Sequence, residues 1–186
     1  VPTRNPAWAI ADIIRNQDYG RGLGTSRMNI QELYRLAGVW ASRGDEFNGV
    51  YDTTSQLWDA LTKACRPGRT VPIYYAGLID FVRNEPKSLP TAMFQPANMV
   101  KGSFNTEYQF AERDSPDHIV IEYVDRNTWQ PTQVECSLPG STTNSPAHLS
   151  FFGVTNRDQA WREGMSMAAA NRDQRRLVTF TTEQEG

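Results

Sequence analysis

Three glycines at alternate positions, Gly20, Gly22 and Gly24 in RNQDYGRGLGTSRMN, are the first residues whose type and spacing could do chemistry. Glycine lets backbone N–H groups approach a phosphate, and such loops cradle nucleotides where a strand hands over to a helix. Here the spacing is G-x-G-x-G rather than G-x-G-x-x-G, and no G-x-x-x-x-G-K-[ST] occurs anywhere in the chain. The run also follows a helical pattern and precedes another. It therefore reads as a helix-to-helix connector in which glycine supplies positive φ, with Tyr19 as a packing anchor for the turn.

The two histidines set the limits on acid–base and metal chemistry. His118 opens HIVIEYVD directly after Asp117, and adjacent strand residues point to opposite faces, so the pair is not an oriented dyad. His148 falls in a polar loop close to Pro146. Zinc needs three or four His, Cys or carboxylate ligands, and neither H-x-x-H nor H-E-x-x-H spacing is present. Cys65 on an apolar helical position and Cys136 in a strand pattern read as two buried free thiols, with no C-x-x-C and no disulfide framework. A carboxylate pair for glycoside hydrolysis is the remaining option, since its members can be distant in sequence. Glu107, Glu112, Asp114, Asp117, Glu122 and Asp125 crowd one region, and they read as a solvated strand face and its loops. The aromatics, 5 Trp, 7 Tyr and 8 Phe, could stack on sugars, although Trp8, Trp40 and Trp58 lie in or beside helix faces and read as core. No catalytic, cofactor-binding or metal-binding residue is assigned, and no cofactor is expected.

Positioning those residues is the work of an ordinary globular composition: 39% hydrophobic, 22% charged, net charge -2 and mean hydropathy -0.58. The 19 basic residues are scattered among 21 acidic ones. That is unlike a protein that clusters Lys and Arg to neutralise nucleic-acid phosphates; the densest pair, Arg175-Arg176, is too small for a patch. No apolar run approaches the roughly 18 residues of a membrane span. VPTRNPAW begins without Met or a signal-peptide core, so the chain reads as a piece of a longer one.

The helix and strand patterns alternate in the first half. Asn5 and Pro6 open a helix with Ile10, Ile13 and Ile14 on one face, ending near Asn16. Asn29 caps a second with Glu32 as capping-box partner; Ile30, Leu33, Tyr34, Ala37, Trp40 and Ala41 follow, and Gly44 stops it. Phe47 to Tyr51 reads as a strand, and Thr53 with Gln56 caps a third helix bearing Leu57, Leu61, Ala64 and Cys65, ended by Pro67-Gly68. TVPIYY and LIDFVR around Ala76-Gly77 read as a β-hairpin. From Val100 to Cys136 strand patterns dominate (KGSFNTEYQF, HIVIEYVD, TQVEC), SLPGSTTNSPAH reads as a loop, a helix capped by Thr155 runs from about Asn156 to Asp173, and RLVTFTT closes as a strand. The expected fold is α+β, with an α/β part over residues 1–100 and a β-rich part with one long helix over 101–186, the part to which the resemblance given next assigns a barrel-like tube.

The runs NPAWAIADIIRNQDYGRG and FFGVTNRDQAWREGMSMAAANRDQRRLVTF resemble the central part of the tail-tip attachment, or host-specificity, proteins of lambda-like siphophages. Asn5, Pro6, Ala7, Trp8, Tyr19, Gly20, Gly22, Gly153, Val154, Thr155, Arg157, Gln159, Ala160, Thr179 and Phe180 fit that pattern. YRLAGVWA also fits; YYAGLIDFV and NMVKGSF fit more loosely, and Asn127 to Ala147 departs from it. The resemblance implies a structural role: a trimeric hub closing the tail tube, in contact with other tail-tip and tail-tube proteins, whose barrel-like domains line the channel through which DNA leaves without specific binding. Its motifs carry no catalytic residues. The alternatives in function are a tail-associated wall-degrading enzyme and a glycan-binding adsorption module.

Overall fold

A computed structural model describes residues 3–90, 92–108, 117–141 and 145–182. These residues form four α-helices and seven strands in small sheets, a mixed α+β chain.

Helix α1 (Pro6–Arg15) starts because the Asn5 side chain accepts the Ala7 N–H, and Pro6 supplies a preset φ in the first turn. Ala7, Ile10, Ala11 and Ile14 give it one buried stripe. Helix α2 (Ile30–Arg43) is capped by the Asn29 side chain, which accepts the Glu32 N–H at 3.1 Å. The expected capping box is only half formed: Glu32 turns to Arg35 at 2.6 Å, while the Asn29 N–H donates to the Ile79 carbonyl at 2.8 Å. Leu33, Leu36, Ala37 and Trp40 face inward, whereas Tyr34, assigned to that face by spacing, is exposed and packs edge-on against Trp8. Gly44 ends the helix in the left-handed region, φ 67°.

Two further readings change here. Phe47 to Tyr51 belongs to no strand; the Phe47 N–H donates to Arg4 O and the Asn48 N–H to Gly153 O, two separate carbonyls rather than a ladder. Helix α3 (Leu57–Cys65) follows Gln56, which makes no side-chain cap bond, so Thr53 and Gln56 form no cap. Ala60, Leu61, Ala64 and Cys65 are its buried face; Trp58 points outward. Strands β1 (Thr70–Tyr75) and β2 (Leu78–Arg83) pair antiparallel around Ala76 and Gly77, both at positive φ as a tight two-residue hairpin turn requires. Ile10, Ile14, Leu33, Leu36, Trp40, Leu61 and Phe81 belong to the first core.

A second core forms around β4 (His118–Val124), the middle strand between antiparallel β5 (Pro131–Ser137) and parallel β6 (Ala147–Ser150). Composition reads the start of β6 as loop; the strand exists through its non-local pairing with β4. Helix α4 (Arg157–Asp173) covers this sheet, and Gly164 sits at the closest approach: a Cβ there would lie 2.4 Å from Cys136 Sγ. Its cap is the Asn156 side chain, accepting from Asp158 N–H; Thr155 instead accepts from Asn48 Nδ2 at 2.8 Å. Strands β3 (Asn105–Tyr108) and β7 (Arg176–Thr179) form a two-stranded antiparallel ribbon. All three sheets are open ones among the described residues.

Candidate functional site

Two amides of the glycine run are engaged by its own helix. Gly22 N–H donates to Asn16 O at 2.8 Å and Leu23 N–H to Ile14 O at 3.0 Å, so the loop satisfies the carbonyls that α1 leaves unpaired at its C-terminus. Gly22 stands at φ 64°, and a Cβ on Gly20 would lie 2.4 Å from Ile13 O. Amides spent on α1 cannot cradle a phosphate. Tyr19 is not a packing anchor: it is exposed, and its hydroxyl donates to the Asp12 carboxylate.

The histidines are separate. His118 Nε2 lies 4.0 Å from Glu135, and Asp117 accepts instead from Ser141 Oγ at 2.5 Å. His148 lies in β6 rather than in a loop, exposed and opposite Val120. Among the described residues no group of three His, Cys, Asp or Glu is placed to hold a metal ion. Cys65 and Cys136 are free and buried, as read from the sequence. Burial pushes the Cys65 thiol up to about 12 and raises that of Cys136, which removes thiolate reactivity. The carboxylates are spread over different elements. Glu107 is exposed on β3 and Glu122 on β4, whereas Asp125 accepts the Asn127 and Thr128 N–H groups, which hold its carboxyl below the usual range. Glu112 and Asp114 lie outside the described residues. Arg175 donates to Arg172 O at 2.7 Å, and Arg176 lies over the Tyr108 ring at 5.7 Å.

Sequence reasoning missed the polar joint between the two cores. Asp45, just past α2, accepts from Arg43 at 2.6 Å and from Arg162 on α4 at 2.7 Å. Glu163 accepts from Arg69 at 2.6 Å and Arg43 at 3.0 Å, with its side chain 3% exposed. Gln159, fully buried, takes the Glu46 N–H and donates to Glu46 O and Pro67 O. Burial pushes the Glu163 carboxyl up against the pull of Arg69 and Arg43. Burial likewise opposes charge on Arg43, but Asp45 and Glu163 outweigh it and raise its pKa. Phe152 adds an aromatic contact, with its ring 5.9 Å from that of Phe47 and 5.1 Å from that of Tyr51. The contributors come from distant points of the chain, so no local spacing announces them; Phe152, Gln159, Arg162 and Glu163 lie in a run singled out by resemblance, but of these only Gln159 is among the residues that carry it.

The other notable surfaces are uncovered sheets. Val71, Ile73, Tyr75 and Val82 are exposed on the outer face of the β1–β2 hairpin. The β3–β7 ribbon exposes Tyr108, Leu177 and Val178, with Phe94 and Phe180 paired beside it at 5.0 Å. No described helix is long and apolar enough to cross a membrane.

Among the described residues, two cores are bolted by a charged joint and two apolar sheet faces are left open. Residues 58–186 match the family described as "Putative phage tail protein", and the chain belongs to that family of tail structural proteins. Among solved structures, a chain in "Virion of native gene transfer agent (GTA) particle" is similar with TM-score 0.56 and 18% identity, over 77% of this chain and 36% of that one. The tail protein from Neisseria meningitidis MC58 matches with TM-score 0.48 and 13% identity, over 80% of this chain and 48% of that one. This chain thus spans less than half the length of either. The first of these likenesses is one of fold.

Proposed function

We propose that the chain belongs to the hub at the tip of a lambda-like phage tail, where it acts as a structural rather than catalytic component. Its two parts, dividing near residue 100, build a threefold ring in the intact protein, residues 101–186 contribute to the wall of the channel used in DNA ejection, and the whole protein supports host attachment. The observation that carries this reading is the uncovered apolar surface on the β1–β2 hairpin and the β3–β7 ribbon. A two-stranded ribbon is marginal alone in water, and open edges pair readily with neighbouring chains. A net charge of -2 suits a conduit that lets DNA slide, since phosphate contacts create affinity.

The test is to purify the intact parent chain, measure its mass by light scattering, and locate it on particles with gold-labelled antibody. A trimer at the tail tip is the expected result. A strict monomer absent from tail tips would overturn the proposal. No observation favours the wall-degrading alternative, as Glu107, Glu122 and Asp125 occupy different elements with different duties.

A further inference from the structure

We infer that the cleft between Trp129 and the Asn48–Val50 loop is a saccharide-binding site for N-acetylated hexosamines. The cleft, about 540 Å³, opens where the two cores meet: Asn48, Gly49 and Val50 line one side, and Glu122, Trp129, Ser150 and the Phe151–Thr155 segment the other. That size and a position at a junction between cores are usual for small-ligand sites.

Its lip is built around an exposed aromatic residue. Trp129 is 70% exposed and stands at φ 57°, a left-handed conformation that glycine or asparagine would adopt at less cost. The turn is held there by backbone bonds from Trp129 N–H to Asp125 O at 2.8 Å and from Asp125 N–H to Gln130 O at 3.0 Å, and the Asp125 carboxylate braces it from within. The result is a large, rigid aromatic face presented to water. Residue 129 also falls in the stretch where the tail-tip resemblance lapses, so the feature is this chain's own.

The polar groups select the ligand. Glu122 is exposed on β4, with Ser150 beside it in register on β6, and both line the cleft. An ionised carboxylate only accepts, whereas the hydroxyl both donates and accepts. A sugar ring meets both with hydroxyls of either sense and lays its C–H face on the indole. An acetamido group adds an N–H for the carboxylate and a methyl for the apolar wall at Phe152 and Val154. A cation would satisfy Glu122 and Trp129 but has nothing for the Ser150 hydroxyl to donate to.

The inference gives the tail reading a ligand class and rests on it only for the expectation of a bacterial surface sugar. The test titrates the chain with N-acetylglucosamine trimer, followed by saturation-transfer NMR. Saturable binding is expected, at least tenfold weaker in Trp129→Asn, which keeps a left-handed backbone, and several-fold weaker in Glu122→Gln, with thermal midpoints of both variants no lower than that of the parent chain. Absence of saturable binding, undiminished binding by Trp129→Asn, or binding of trilysine in place of the trimer would each overturn the site. Any of those results leaves the location of the protein on particles, measured separately, unchanged.

Discussion

At the scale of single residues, the chain is governed by a few positions with no room or no alternative partner. Gly20 is one: a side chain there meets the Ile13 carbonyl at 2.4 Å, and the obstacle is backbone, which cannot swing away. Gly20→Ala is expected to cost about 1–3 kcal/mol through local overpacking, and Gly22→Ala about 1–2 kcal/mol through its positive φ. Denaturant unfolding measures both, and ATP added to the parent protein should leave its midpoint unmoved. Glu85 is another such position, bridging Arg35 at 2.7 Å and Arg83 at 2.8 Å. Burial pushes its carboxyl up, but Arg83 and Arg35 outweigh that and hold it below the usual range. A depressed carboxylate stabilises the fold above its unfolded pKa of roughly 4.3 and loses that contribution as pH falls through the lower folded value. Glu85→Gln should therefore be less stable than the parent at pH 7, with the gap narrowing as pH falls below roughly 4.3. A constant gap between the two from pH 7 to pH 3 would refute the assignment.

At the scale of elements, local signals located helices better than caps. Asn5 and Asn29 are caps because a short polar side chain beside an apolar period has few other uses. The Thr53 cap fails because α3 begins at Leu57 with no side-chain cap, and the Thr155 cap fails because Asn156 caps α4 while Thr155 is drawn to Asn48 across the joint. Strand β6 is absent from the local pattern because its partner β4 lies in another part of the sequence. Helix α4 gives a test at this scale. Gly164 lets it approach within contact of Cys136 and Ile121, so Gly164→Val is expected to push helix from sheet and cost about 1–3 kcal/mol. Hydrogen exchange should then rise in β4 and β5 while the first core keeps its protection. Equal loss in both cores would show that the two fold as one unit.

At the scale of the whole molecule, the joint decides how one half sits on the other. Its acids, Asp45 and Glu163, are almost fully buried and sit among three guanidiniums. Removing one partner of such a set strands the rest in a poor solvent, so Glu163→Ala is expected to cost about 3–5 kcal/mol. In a double-mutant cycle with Arg69→Ala the two losses should not add, because each removes the same 2.6 Å contact. Additive losses would mean that the pair is not coupled.

The sequence by itself determined the α+β class, the first helix and its glycine connector, the β1–β2 hairpin, and the burial of both cysteines. Each of these follows from side-chain period, turn chemistry or hydrophobicity read within a few neighbours. Tertiary structure alone decided that Tyr34, Trp58 and Tyr19 face water, that β6 is a strand, that Arg43, Asp45, Arg69, Arg162 and Glu163 converge, and that Trp129 overlooks a cleft. Those outcomes depend on which surfaces meet across long stretches of chain. Periodicity says only that a residue lies on a face; packing says what that face meets.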